Sequence, residues 1–233
     1  MMEMNEEKNG FHMEKGRDKT VKLRVAVLVL GILSSDTISV RKVRTKKLGV
    51  LLINGEGAGN ERTAMLPKGD KNQGESLQKA AERILQEKTG LTGIRCEQFH
   101  TFDAPSEQED NDPLCVYVAL TDQTKQPLKD GFWTPADQPE EMGAASFDRR
   151  IIQTTLNCLR RHIYITDMVF WLMPEKFTLT ELQELYEVIL DQEIFPLEFV
   201  RNLDSQITET KEYSRTGVRR EKLYLHTISE CDI

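Results

Sequence analysis

Residues 66–91 read LPKGDKNQGESLQKAAERILQEKTGL, and this stretch decides the fold. Within it Leu77, Ala80, Ala81, Ile84 and Leu85 recur at i, i+3, i+4, i+7 and i+8. That is the single apolar stripe of a helix that rests one face on a core. The spacing predicts a helix over 76–88, stopped at Gly90, where a residue without Cβ lets the chain leave in a left-handed turn. Working outward, residues 21–33 and 48–53 are apolar runs rich in Val and Leu that read as buried strands. Residues 55–60 read as a glycine-rich turn. Residues 114–120 are a further strand, after an acidic loop at 107–112, and Trp133-Thr134-Pro135 opens a loop rich in Pro, Gly and acids. Strands around one strong helix make the part up to about residue 145 an α/β or α+β domain.

From Phe147 onward the pattern is mostly helical. Ile151, Ile152, Thr155, Leu156, Leu159 and Ile163 form a stripe, and Pro174 ends that region. Thr178 followed three residues later by Glu181 spells a capping box, so a helix restarts there and runs to about Leu190. A short helix follows Pro196 through Phe199, Val200 and Leu203. Residues 207–225 hold two strand-like pieces around Arg215-Thr216-Gly217. Helix, helix, helix, hairpin is the order of a winged helix-turn-helix, which reads DNA with the helix before the hairpin. A helical bundle with a β tail has the same order.

The 233 residues and 26.8 kDa allow one large or two small domains. With 39% apolar and 30% charged residues, collagen-like and wholly disordered chains are excluded. No apolar run reaches the roughly 18 residues of a membrane span, and the first twenty residues are too polar for a secretory signal. Cys96, Cys115, Cys158 and Cys231 show no paired spacing, against a zinc site or disulfide framework and in keeping with reduced thiols in the cytoplasm. His12, His100, His162 and His226 are scattered, and neither a Ser/His/Asp constellation nor a P-loop is present. The net charge of −7 disfavours non-specific polyanion binding. Local clusters matter more for docking on a phosphate backbone. One, at Arg41, Lys42, Arg44, Lys46 and Lys47, reads as a solvated hairpin; the other is Lys211, Arg215, Arg219, Arg220 and Lys222.

Gly69, Glu75, Arg83, Leu85, Glu87, Gly90 and Leu91 stand at the spacing of the Nudix box, G-x(5)-E-x(7)-R-E-U-x-E-E-x-G-U, where U is apolar. The stretch therefore resembles the Nudix family, whose helix presents carboxylates that hold Mg²⁺ on a diphosphate. Ile84 and Lys88 depart from the pattern where the family has Glu. Mg²⁺ asks for several hard oxygen ligands, and this box offers Glu87, with Glu75 upstream. Glu87 lies four residues after Arg83, the spacing of a helical ion pair. The expectation is a Nudix shape without an efficient metal clamp: no catalytic residue, Glu75 and Glu87 as doubtful metal ligands, and no cofactor unless Mg²⁺ serves residual hydrolysis. Lys68, Arg83, Glu87 and Lys88 are expected to border an anionic ligand, Lys88 standing in for metal charge.

The likeness extends downstream. Gln98-Phe99-His100-Thr101-Phe102, Phe132-Trp133-Thr134-Pro135 and Phe147-Asp148-Arg149-Arg150-Ile151-Ile152 resemble landmarks of the Nudix-related transcriptional regulators, with Arg149 where the family has His. Residues 177–183 are similar to the first helix of their winged domain, and 217–224 to their wing. The resemblance implies an α+β fold: a Nudix mixed β-sheet in an α/β/α sandwich, then a C-terminal winged helix-turn-helix. It divides the chain into a tail at 1–20, a sensor domain at 21–148 and a linker helix with the winged domain at 149–233. It implies a cytoplasmic homodimer on a double-stranded DNA operator, tuned by a small-molecule effector such as ADP-ribose or another nucleotide-sugar or sugar metabolite, with genes of NAD or sugar metabolism as targets and no membrane partner. Arg201, Asn202, Arg215, Arg219, Arg220 and Lys222 are the residues expected to meet DNA. From residue 151 onward, however, 14 acidic residues outnumber 9 basic ones, an unusual balance for a DNA reader. The competing expectation is a Mg²⁺-dependent hydrolase of a nucleoside diphosphate derivative such as ADP-ribose.

Overall fold

The computed structural model describes residues 22–34, 46–56, 62–103, 112–137, 143–203, 206–214 and 220–227. The first apolar run is strand β1 (Arg24–Ser34). Its Val25, Val27 and Val29 belong to one core and its Ala26, Leu28 and Leu30 to another, all fully buried. A strand covered on both faces carries such a continuous run rather than an alternation. Next come β2 (Lys46–Glu56), β3 (Arg62–Met65), β4 (Lys68–Asp70), helix α1 (Leu77–Thr89), β5 (Cys96–Phe102), β6 (Leu114–Thr121) and β7 (Phe132–Pro135). The sheet order is β3-β2-β1-β6-β5, with β4 beside β1 and β7 beside β2. β1 runs parallel to β6, and the sheet's other described pairings are antiparallel. The sheet is thus mixed, as expected.

One expectation is corrected. Trp133-Thr134-Pro135 does not open a loop; it is strand β7, paired with Gly49, Val50 and Leu51 of β2. Proline lacks the ladder donor, yet an edge position at the end of a strand tolerates it. Pro135 sits there, and Ala136 donates its N–H to the Leu48 carbonyl just beyond. Gly131 admits the strand: its φ is 106°, and a Cβ would stand 2.4 Å from the Leu52 carbonyl oxygen. The acidic loop at 107–112, all but Asp112, lies outside the described residues, as do the 1–20 tail and most of the 55–60 turn.

α1 covers one face of the sheet through Ala80, Ala81, Ile84 and Leu85, packed with Val25, Val27, Val29 and Leu51. The other face shares one continuous core with α2 (Ser146–His162), a 3-10 turn at Asp167–Leu172 and the C-terminal elements. Those elements are β8 (Phe177–Thr178), α3 (Leu179–Leu190), α4 (Pro196–Leu203), β9 (Ile207–Tyr213) and β10 (Lys222–His226), with a small sheet ordered β8-β10-β9. α3 begins at the expected capping box: the Thr178 hydroxyl accepts the Glu181 N–H, and the Glu181 carboxylate accepts the Thr178 N–H. No described helix is long and apolar enough to cross a membrane.

α4 is anchored from below. Phe199 and Leu203, four apart, are fully buried, and the Phe199 ring meets Tyr186 edge-on at 5.2 Å. Tyr186 donates its hydroxyl to the Ile163 carbonyl at 3.4 Å, and burial raises its phenol above the ordinary value. Phe199→Ala leaves a cavity under α4 and is expected to cost about 3–5 kcal/mol. Urea unfolding followed by circular dichroism measures it.

Candidate ligand site and nucleic-acid interface

Serine at the N-cap starts the box helix: the Ser76 hydroxyl accepts the Lys79 N–H. Gly90, at φ 82°, ends it with its N–H donated to the Gln86 carbonyl. This placement sets Arg83 toward the preceding loop. Arg83 donates Nε to Glu75 Oε1 at 2.8 Å and Nη2 to Glu75 Oε2 at 2.9 Å, a bidentate charge-assisted pair. Nη2 also reaches the Asp70 carbonyl at 2.9 Å, and Nη1 reaches Glu87 at 3.2 Å. Glu75 accepts the Asn72 N–H as well. The Arg83 hydrogen bonds first, then the Asn72 N–H, hold the Glu75 carboxyl down from 4.5 to about 2. The same pairing raises Arg83 above its ordinary value.

The two carboxylates expected as doubtful metal ligands therefore converge on one guanidinium. Ile84, where the family has an acid, is 1% exposed and packs in the core under α1, and a Cβ on Gly69 would stand 3.3 Å from it. Lys88 is exposed on the last turn. It lies about 100° further round the helix than Glu87 and apart from the Arg83 cluster. Among the described residues no group of three or more His, Cys, Asp or Glu stands together. This donor set does not fit the Mg²⁺ of a Nudix hydrolase, because Glu75 and Glu87 share one guanidinium, which leaves the trio a net charge of −1, and a lysine and an isoleucine hold the other two places.

Lys68 is also occupied. Its Nζ donates to both carboxylate oxygens of Asp148 at 3.0 and 3.1 Å, and Asp148 accepts the Leu66 N–H at 3.0 Å. Asp148 is fully buried in the first turn of α2, where the helix dipole favours a negative charge. Sequence reasoning quoted Asp148 only as part of a landmark; an acid opening an apolar-stripe helix was the available signal. Of the expected ligand residues, Arg83 and Glu87 come together, Lys68 is held to the start of α2, and Lys88 stands apart.

Other links join the sheet to the C-terminal elements. Lys46 donates to Glu184 of α3 at 2.9 Å, and Lys47 to Asp137 at 3.2 Å. These two members of the basic cluster are thus paired with acids; 41–45 lie outside the described residues. Arg160 of α2 donates Nε to the Ile189 carbonyl at 2.8 Å, near the negative end of α3. A cleft of about 350 Å³ lies between these parts, lined among others by Ile32, Lys46, Thr124, Met173, Glu181 and Val188. Sequence reasoning had no signal for it, since its lining comes from distant segments.

On the winged side, Arg201 is exposed on α4. Asn202 is exposed on the same helix and interacts with the Tyr164 hydroxyl. Arg220 stacks over the Tyr213 ring at 4.1 Å. Lys222 is ion-paired with Glu209, and Lys176 with Glu212 at 2.6 Å. Arg215 and Arg219 lie outside the described residues. Histidine contributes packing: His226 stacks on Phe170 at 4.0 Å, and His100 is an exposed strand residue.

Two outcomes follow from the box geometry. Ile84→Glu forces a carboxyl into the core and is expected to lower the unfolding free energy by about 3 kcal/mol or more, read from the urea midpoint. The folded value of Glu75 is depressed, so its stabilisation is present above about 4.5 and drains as pH falls toward 2. Glu75→Gln is expected to flatten the fall of Tm across that window, measured by calorimetry.

Comparison with known proteins follows the same division. Residues 22–155, more than half of the chain, match the NUDIX domain family, and residues 169–225 match the NrtR DNA-binding winged helix domain. A relative from Acinetobacter baylyi, named ADPR responsive transcriptional repressor NtrR, is 28% identical over 196 residues, 80% of this chain and 78% of that protein. The crystal structure of Shewanella oneidensis NrtR complexed with a 27mer DNA superposes with a TM-score of 0.67 at 24% identity, covering 88% of this chain and 93% of that one. A MutT/nudix family protein from Enterococcus faecalis superposes at 0.68 with 18% identity, covering 92% and 89%. A Nudix domain with this winged helix behind it places the chain in the NrtR family.

Proposed function

We propose that the chain is a transcriptional repressor whose Nudix domain senses ADP-ribose or a closely similar nucleotide sugar and does not hydrolyse it. The observation that carries this reading is the Arg83 cluster: one guanidinium binds the carboxylates that would otherwise grip a metal. A pocket of Nudix shape without its clamp still binds a diphosphate through cations. The winged helix domain supplies the DNA-reading half, and the Acinetobacter relative is named for ADPR response and repression.

In this reading residues 21–148 form the sensor and 149–233 the linker helix and reader, working in the cytoplasm as a homodimer. Lys68, Arg83 and Glu87 border the ligand, and Lys88, exposed on the last turn of α1, stands apart from them. Lys68 has three N–H donors, two of them on Asp148, so the third meets an incoming diphosphate while the buried carboxylate stays answered. Arg201, Arg215, Arg219 and Arg220 meet the DNA.

A gel shift with duplex DNA from upstream of the gene, with and without ADP-ribose, tests the reading, paired with an assay for AMP release in Mg²⁺. The expected outcome is a duplex complex whose affinity changes about 5- to 150-fold with ADP-ribose, the usual range of coupling between sites, and no AMP release above background. Rapid Mg²⁺-dependent AMP release with no duplex retained would overturn it.

A further inference from the structure

α4 shows an unusual surface for a helix that precedes a winged hairpin. Phe199 and Leu203 point into the core, so the opposite side of the helix faces out. That side carries Leu197, 86% exposed, beside Arg201, with Val200 at 41% on its flank and Phe195, 78% exposed, just before the helix. Three of the six exposed large apolar side chains among the described residues fall between 195 and 200, so they form a patch rather than scattered positions. Among the described contacts none covers it. The helix has one acid, Glu198, and one base, Arg201, so it offers phosphates little net attraction.

We propose that α4 reads its DNA through thymine methyl groups, with Leu197 and Val200 as the apolar half of the reading face and Arg201 as the polar half. The inference rests on the DNA-binding function proposed above. The C5-methyl of thymine is the apolar feature that base edges offer in the major groove, and apolar side chains recognise it by contact. A helix-turn-helix aims the N-terminal residues of its reading helix at those edges. Leu197 and Val200 are the second and fifth residues of α4, and Arg201 the sixth. Asn202, the residue type that reads adenine, follows Arg201 and lies on the flank of this face. With one acid and one base on α4, apolar contact carries a share of its recognition beside the phosphate contacts of the wing. Leu197 and Val200 thus set specificity for a T-containing half-site.

The test uses the full chain and duplexes it retains from a random pool. These are resynthesised with deoxyuridine for thymidine, which removes only the C5-methyl. Wild type is expected to bind the uridine duplex about fourfold more weakly for each contacted methyl, the value of one buried carbon. Leu197→Ala with Val200→Ala is expected to bind both duplexes alike. Equal wild-type affinity for the two duplexes overturns the inference while leaving DNA binding intact. Retention of no duplex at any salt overturns the DNA-binding function itself. A double variant that still prefers thymidine but sediments as a different oligomer makes the patch a protein contact and overturns it as well.

Discussion

The guanidinium of Arg83 determines what the box can do. It reaches two carboxylates and one backbone carbonyl from a single position on α1, through donors fixed in a planar fork. Two carboxylates and one guanidinium leave a net charge of −1, and the oxygen lone pairs turned to Arg83 are engaged there. The substitution at Ile84 completes the change, because an apolar side chain there joins the packing between helix and sheet. The helix keeps its place in the fold, and its Arg83 pairs with Glu87 on the same helix and with Glu75 before it.

A second ion pair connects this region to the rest of the chain. Asp148 is buried, and a buried carboxylate is tolerated only where charge and hydrogen bonds answer it. Lys68 and the Leu66 N–H supply both, so the turn before the box and the first turn of α2 are tied together. α2 in turn gives Arg160 to the end of α3, and Lys46 of the sheet pairs with Glu184. These links, with the shared core, run from Lys68 to the helices that carry α4. The route is local at every step: one carboxylate, one helix start, one helix end.

Elements with strong local grammar were legible in the sequence. α1, with its stripe and terminal glycine, and α3, with its capping box, stand close to where the spacing puts them, because their determinants lie within one or two turns. β7 was not legible: its partner β2 lies about eighty residues away, and a proline looks like a breaker until an edge position accepts it. The ion pair of Lys222, expected to meet DNA, with Glu209 on the neighbouring strand was not legible for a similar reason. Charge type is visible in a sequence, whereas the acid or carbonyl that answers it is not. The i, i+4 pair of Arg83 and Glu87 was visible, since both lie on one helix.

By itself, then, the sequence determined the two-part architecture, the Nudix frame and the loss of two acids from its box, since each depends on residue type at short, regular spacing. Only the tertiary structure decided that the remaining acids are bound by Arg83, that Lys68 answers Asp148, and that α4 turns leucine and valine outward. Those outcomes depend on which distant segments meet. Burial makes such meetings costly to leave unsatisfied, and no local pattern records them.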